Sequence, residues 1–144
     1  QEQLHSNGNI DSINLGRFLE DLITNLNISY GQEKDIEINI EMDEIGLDVS
    51  RAIPCGLLAN EILTNSFKYA FNEQNLFPKL DISLNIKDSY GHLTFKDNGP
   101  GFELNKSTNG MGLLLIKDLA DQIDAEMTVL PENGVEIKLL IPID

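Results

Sequence analysis

A chain of 144 residues is close to the usual size of one domain and long enough to bury a core without covalent staples. Its single cysteine, Cys55, forbids an internal disulfide, and no apolar run approaches the roughly 20 residues that cross a bilayer as a helix. The formal net charge of -14 works at long range against nucleic acid, anionic membrane and free nucleotide alike, so an anionic ligand needs local help from backbone N–H groups, a lysine or a metal ion.

The chain opens on Gln1, which reads as a piece of a longer protein or a processed start, and the lack of a signal peptide reads as a cytosolic domain. Residues 1–13 are polar and irregular. Leu15, Phe18, Leu19, Leu22, Ile23 and Leu26 then follow helical spacing, and Asn14 stands at the N-cap, which predicts a helix over about 15–29. Ile36, Ile38, Ile40 and Met42 alternate with Glu37, Asn39 and Glu41 as in a half-buried strand. A second helix is expected over about 51–73, with Pro54 in its first turn. Leu80, Ile82, Leu84 and Ile86 alternate again. Asp88-Ser89-Tyr90-Gly91 reads as a turn, and His92 to Lys96 as the returning strand of a hairpin. A glycine-rich stretch from Asn98 to Gly112 leads into a third helix over about 111–123. Met127 and Val129 mark a further strand, Pro131 to Gly134 a turn, and Val135, Ile137, Leu139 and Ile141 a last strand.

This pattern is α+β: three helices and about five strands, each strand with one apolar face. A single sheet with the helices stacked on one side buries those faces. No domain boundary is expected after residue 15, with 1–14 a tail or linker and 15–144 the folded unit.

Three segments could carry chemistry. Leu93, Phe95 and Asp97 share strand parity, so the Asp97 carboxylate points inward, where it needs hydrogen-bond donors. Gly99 and Gly101 follow it and allow close backbone approach. The pair of features suits a flat ligand bearing an amine, such as adenine, although Asp-Asn-Gly also occurs in plain turns. On the second helix, Glu61, Asn65, Lys68 and Asn72 form one polar stripe opposite Ile62, Leu63, Phe67 and Ala70. A carboxylate and an amide oxygen one turn apart suit a hard cation such as Mg²⁺, Lys68 suits a phosphate, and Tyr69 beside the stripe can lean on an aromatic base. The same stripe also fits a solvated face. Asn109-Gly110-Met111-Gly112-Leu113 places two glycines at a helix start, a position where free N–H groups bind anions. Glycines before helices are frequent, so that signal is weak by itself.

Taken together, the segments resemble a known family. Asn60-Glu61-Ile62-Leu63-Thr64-Asn65-Ser66-Phe67-Lys68-Tyr69-Ala70-Phe71 resembles the N box of the GHKL ATPase superfamily. Asp97-Asn98-Gly99-Pro100-Gly101-Phe102 resembles its first glycine box, and Gly110-Met111-Gly112-Leu113 its second, in the family's order and spacing. The lead-in Ala52-Ile53-Pro54-Cys55-Gly56-Leu57-Leu58 is similar to that of the HisKA_2-type sensor histidine kinases. The Leu4-His5 segment resembles the tail of their dimerisation helices. The likeness runs over nearly the whole chain.

The resemblance implies the Bergerat-type two-layer α/β sandwich, with a mixed, mostly antiparallel sheet. It implies an ATP-binding catalytic domain of a two-component sensor histidine kinase. Asp97 would accept from the adenine amino group, and Gly99 and Gly101 would let the base lie against the backbone, beside Phe102. Asn65 would ligate Mg²⁺, Lys68 would touch a phosphate, and Tyr69 would wall the adenine. Gly110, Met111, Gly112 and Leu113 would form the phosphate-side binding segment, Gly110 and Gly112 through their N–H groups. Glu61 would orient or deprotonate the attacking group. Residues 103–109 would be a short lid.

The acceptor histidine of such kinases lies on an upstream dimerisation helix. His5 and His92 do not stand in such a motif, so this chain alone is not expected to autophosphorylate. The implied partners are the dimerisation and phosphoacceptor domain of the same protein and a response regulator receiver domain, with no nucleic acid, no membrane insertion by this chain, and a cytoplasmic location. Cys55 stands where leucine is expected, and Val135 where relatives often carry threonine. An anti-sigma-factor-type serine kinase and a non-catalytic, nucleotide-regulated module are the alternative readings. A gyrase-like or chaperone-like clamp is disfavoured by the short chain.

Overall fold

The computed structural model describes residues 12–31, 34–101, 107–131 and 133–143, with the main chain alone over 107–111. Strand β1 (Ser12–Asn14) leads into helix α1 (Leu15–Tyr30), followed by β2 (Glu37–Met42), β3 (Gly46–Asp48) and helix α2 (Val49–Asn65). Helix α2 widens at its end into a π-helical turn (Ser66–Ala70). Then come the hairpin β4 (Lys79–Lys87) and β5 (Tyr90–Asp97), helix α3 (Ser107–Gln122), β6 (Glu126–Leu130) and β7 (Glu136–Pro142).

The main sheet has the order β2-β4-β5-β7-β6. Strands β2 and β4 are parallel, because α2 crosses between them, and every other pair in it is antiparallel. The alternation seen in the sequence sets the buried face: Leu80, Ile82, Leu84, Leu93, Phe95, Ile137, Leu139 and Ile141 are all buried. The helices cover that one face through Leu15, Leu19 and Ile23 of α1, Leu58, Ala59 and Leu63 of α2, and Ile116 and Ala120 of α3. This is the two-layer sandwich expected from the sequence. Strand β5 lies at its centre, so Asp97, the last residue of β5, reaches the rim of the sheet at mid-width.

Several local expectations hold. The Asn14 side chain caps α1, accepting from the Arg17 N–H at 3.2 Å. The β4–β5 hairpin turns on Asp88 (φ 55°) and Ser89 (φ 66°), the left-handed pair of a two-residue hairpin whose twist matches its strands.

Other expectations are corrected. Helix α2 starts at Val49, with Asp48 in the extended N-cap conformation, so Pro54 lies in the second turn rather than the first. It does not run to residue 73 as one α-helix, because the π-turn intervenes and the chain leaves helical geometry at Phe71. Helix α3 begins at Ser107, four residues before the expected start. The small β1–β3 ladder was not expected at all, since three-residue strands are too short to show alternation.

Cys55 is fully buried in α2. Burial pushes its thiol up to about 12, with the positive charge of Arg51 pulling the other way.

Candidate functional site

A cavity of about 640 Å³ opens where α2, the π-turn, the ends of β5 and β7, and the start of α3 converge. That size falls within the range of small-molecule sites. Of the residues singled out in the sequence, Glu61, Asn65, Lys68, Tyr69, Asp97, Gly101, Gly112 and Leu113 line it. Phe102 lies outside the described residues. So does most of the segment expected as a lid, whose last residues, Ser107–Asn109, are helical. Asn72 lies beyond the π-turn, exposed, and its side chain accepts from the Gln74 N–H instead of facing the cavity.

Asp97 is the centre of the polar end. Its side chain is buried, only 4% exposed, as strand parity requires. An uncompensated carboxylate there would be costly, and three donors meet it. Its Oδ1 accepts from the Gly99 N–H at 3.0 Å and the Val135 N–H at 3.1 Å, and its Oδ2 accepts from the Ser66 hydroxyl at 2.9 Å. A carboxylate has about four acceptor positions, two per oxygen. Among the described residues Oδ1 has two donors and Oδ2 one, so Oδ2 has an acceptor position to spare, on a residue that lines the cavity. The site can therefore take one hydrogen bond from a ligand N–H at a fixed place.

The glycines around Asp97 answer to the protein's own packing. A Cβ at Gly99 would stand 2.5 Å from the Ala70 Cα, so this glycine is where β5 leaves the sheet against the end of the π-turn. Gly101 (φ 75°) presses on the Pro131 carbonyl and Gly134 (φ 96°) on the Asp97 carbonyl, each so closely that any Cβ would overlap the oxygen. The Asp97 N–H also donates to the Val135 carbonyl at 3.0 Å. The loop after β5 and the β6–β7 turn are thus interlocked. Asn98, which the sequence reading left unassigned, fastens the other side. Its amide donates to the Phe77 carbonyl at 2.8 Å and accepts from the Lys79 N–H at 2.9 Å and from Asn75 at 3.0 Å.

Other lining side chains are held less tightly. Lys68 is exposed, and Tyr69 is 67% exposed. Gly112 does not stand before its helix, as the sequence suggested. It is the sixth residue of α3, so its N–H falls inside the helical ladder, whereas Gly110 is among the first four residues, whose N–H groups lack an intrahelical acceptor. Gly112 is small for a different reason: a Cβ there would meet the Asn65 amide at 2.7 Å and the Glu61 carboxylate at 3.0 Å. Met111 lies between the two glycines on the same helix. The lining side chains named here carry two carboxylates, Glu61 and Asp97, against one ammonium, Lys68. A polyanion in this cavity needs a cation as well as Lys68. Among the described residues, no three His, Cys, Asp or Glu side chains gather as a metal site.

Sequence reasoning gave Ser66 and Pro100 no role of their own and read Val135 only as a departure from threonine. Ser66 stands beside Asn65, one position off the polar stripe, and a regular helix would not have pointed to it. The π-turn fits more residues into one turn, so Asn65, Ser66, Lys68 and Tyr69 all line the cavity. Val135 acts through its main chain, which makes its side-chain departure from threonine immaterial to that bond.

No family model matches the chain. It is 26% identical to the swarming motility regulation sensor protein RssA of Serratia marcescens, across 80% of this chain and 28% of that protein. Its fold superposes on the histidine kinase domain of the Erythrobacter litoralis EL346 blue-light activated histidine kinase with a TM-score of 0.81, at 24% identity, over 91% of this chain and 62% of that one. It superposes on the catalytic domain of histidine kinase ThkA with a TM-score of 0.76, at 16% identity, over 92% of this chain and 95% of that one. The chain thus spans under a third of RssA and nearly all of the isolated ThkA domain. The two-layer sandwich, its mixed five-stranded sheet and the cavity at its rim are built on the catalytic-domain fold of the histidine kinases.

Proposed function

We propose that the cavity binds ATP together with Mg²⁺, and that the domain is the phosphoryl-donor unit of a two-component sensor histidine kinase. The observation that carries this reading is the buried Asp97 carboxylate, which lines the cavity and, among the described residues, has one acceptor position left. An adenine amino group supplies the matching donor. Tyr69 and the apolar lining, including Ile62 and Val135, suit the faces of a flat base.

The remaining site residues take roles from this placement. Asn65 is the candidate Mg²⁺ ligand, through its amide oxygen. The fit favours an ion shared with phosphates over an all-protein site, as the lone amide and nearby Glu61 suggest. When bound, the ion supplies charge neutralisation on the phosphate oxygens. Lys68 adds a point charge as well. Gly110 at the start of α3 offers an N–H to the phosphates, and Met111, Gly112 and Leu113 set the distance of that helix from Asn65. Glu61 is the candidate group that orients or deprotonates the attacking nucleophile. Phe102 is retained as a neighbour of the base. The acceptor histidine and the response regulator belong to partner domains. Residues 15–144 form the ATP-binding unit in this reading and 1–14 lead in from a dimerisation segment. Ser12–Asn14 of that lead-in pair with β3. No helix among the described residues is long and apolar enough to cross a membrane. A cytoplasmic location fits a kinase that draws on ATP.

Calorimetric titration with ATP tests the reading. Asp97→Asn keeps the shape but presents a donor where the open acceptor was. The expected loss is about 2–3 kcal/mol, roughly 30- to 150-fold in affinity, with the fold intact by circular dichroism. An unchanged affinity would remove the adenine assignment.

A further inference from the structure

We propose that Lys34 is a positioning residue for the nucleotide pocket, holding the π-turn in the form that aims Ser66, Lys68 and Tyr69 at the cavity. This rests on the ATP-binding reading above. Lys34 does not line the cavity. It lies in the connection between α1 and β2, 33 positions from the residue it touches.

A π-turn pairs each carbonyl one residue further along than an α-turn, and such turns are rare and frequently stand at functional sites. At the junction the Ser66 N–H is shared between the Ile62 and Leu63 carbonyls, four and three residues back, and the π-turn follows directly. The helix then stops at Phe71, so carbonyls of the widened turn have no further helical N–H groups ahead of them. Lys34 meets one of these. Its ammonium donates to the Phe67 carbonyl at 2.9 Å in a partly buried contact. A hydrogen bond from a charged donor is about twice as strong as a neutral one, which suits a main-chain oxygen that the helix does not satisfy.

The side chain of the same residue is held independently. The Phe67 ring is fully buried, stacked on Tyr30 with centroids 6.4 Å apart and planes at 23°, and met edge-on by Phe71 at 5.7 Å. Tyr30 is the last residue of α1. The end of α1 and the residues just after it therefore grip Phe67 at both ring and carbonyl. The neighbours of Phe67 in the chain are the pocket residues: Ser66 on one side, bonded to Asp97, and Lys68 and Tyr69 on the other. A peptide that swings when its carbonyl is released carries all three with it. Lys34 thus acts on the ligand through the turn.

The test uses the full chain and two variants. Lys34→Met keeps the stem and removes the donor, and Lys34→Arg keeps a charged donor. Calorimetric titration is expected to show ATP affinity falling about tenfold in Lys34→Met, a coupling typical of groups in one network, with most of it restored in Lys34→Arg. Combined with Ser66→Ala, the two losses should be less than additive, because both act on the Asp97 end through one turn. Unchanged affinity, or strict additivity, overturns the proposal even if the melting temperature falls, since that is the mark of packing alone. Amide chemical shifts of Ser66 to Ala70 give a nucleotide-independent readout. They should move in Lys34→Met and return in Lys34→Arg, and a still turn overturns the clamp. If the wild type binds no ATP, the ATP reading fails, and the shifts still decide whether Lys34 sets the turn. Should Lys34→Met not fold, Lys34→Gln carries the same comparisons.

Discussion

At the Asp97 end of the cavity, a buried carboxylate has three protein donors, two glycines are pressed against carbonyl oxygens, and Asn98 is tied to the preceding loop by three strong contacts. The Lys68 side chain, by contrast, is exposed and, among the described residues, has no hydrogen-bond partner in the protein. The two regions suit different tasks. Recognising one N–H donor demands an acceptor fixed to a few tenths of an ångström, which only an over-determined backbone provides. Meeting a polyanion demands charge within reach, which a long flexible side chain and a metal ion supply without fixed geometry. Rigidity is concentrated where selectivity is decided.

The strongest way to break this contrast is Gly134→Ala. The new Cβ would overlap the Asp97 carbonyl, and the residue would be held at φ 96°. A loss of about 3 kcal/mol in unfolding free energy is expected, read by urea denaturation, together with loss of ATP binding. A merely local effect would show that the interlock is not the frame of the rigid end. Asn65→Ala probes the looser region. Its ATP affinity should become insensitive to Mg²⁺, while Mg²⁺-free affinity and stability stay within about 0.5 kcal/mol of wild type. Mg²⁺ dependence that persists would move the metal off Asn65. Ser66→Ala is expected to have the smallest effect, about 1 kcal/mol or fivefold in ATP affinity, since it removes one neutral donor and frees Asp97 to rotate. If adenosine and ATP weaken equally in this variant, the loss belongs to the base end, as the geometry requires. A loss confined to ATP would contradict it.

Much of this was legible in the sequence because it depends on period. Alternation in 80–86, 92–96 and 135–141 marks which side chains face the helices, and the same parity turns Asp97 inward. The Asn14 cap and a turn at Asp88-Ser89 were readable from residue type, although Tyr90 and Gly91, expected in that turn, already belong to β5. What escaped depends on contacts distant in sequence. Nothing near Gly99 or Gly134 says that Ala70 and the Asp97 carbonyl will lie against them, so their part in the packing could not be read from the sequence. The π-turn escaped because a polar stripe at spacings of four and three implies a regular helix, and that assumption hid Ser66. The early start of α3 escaped because Ser107, Thr108 and Asn109 favour turns and caps over helix interiors.

Cys55 carries one more consequence. The only sulfhydryl in the chain lies fully buried on the inner face of α2, and burial pushes it up to about 12. Thiol chemistry requires the thiolate and access to it, so covalent labelling can proceed only when the helical layer lifts from the sheet. The molecule thus carries a built-in clock for its own opening, placed on the helix that lines the pocket and read without any added probe residue.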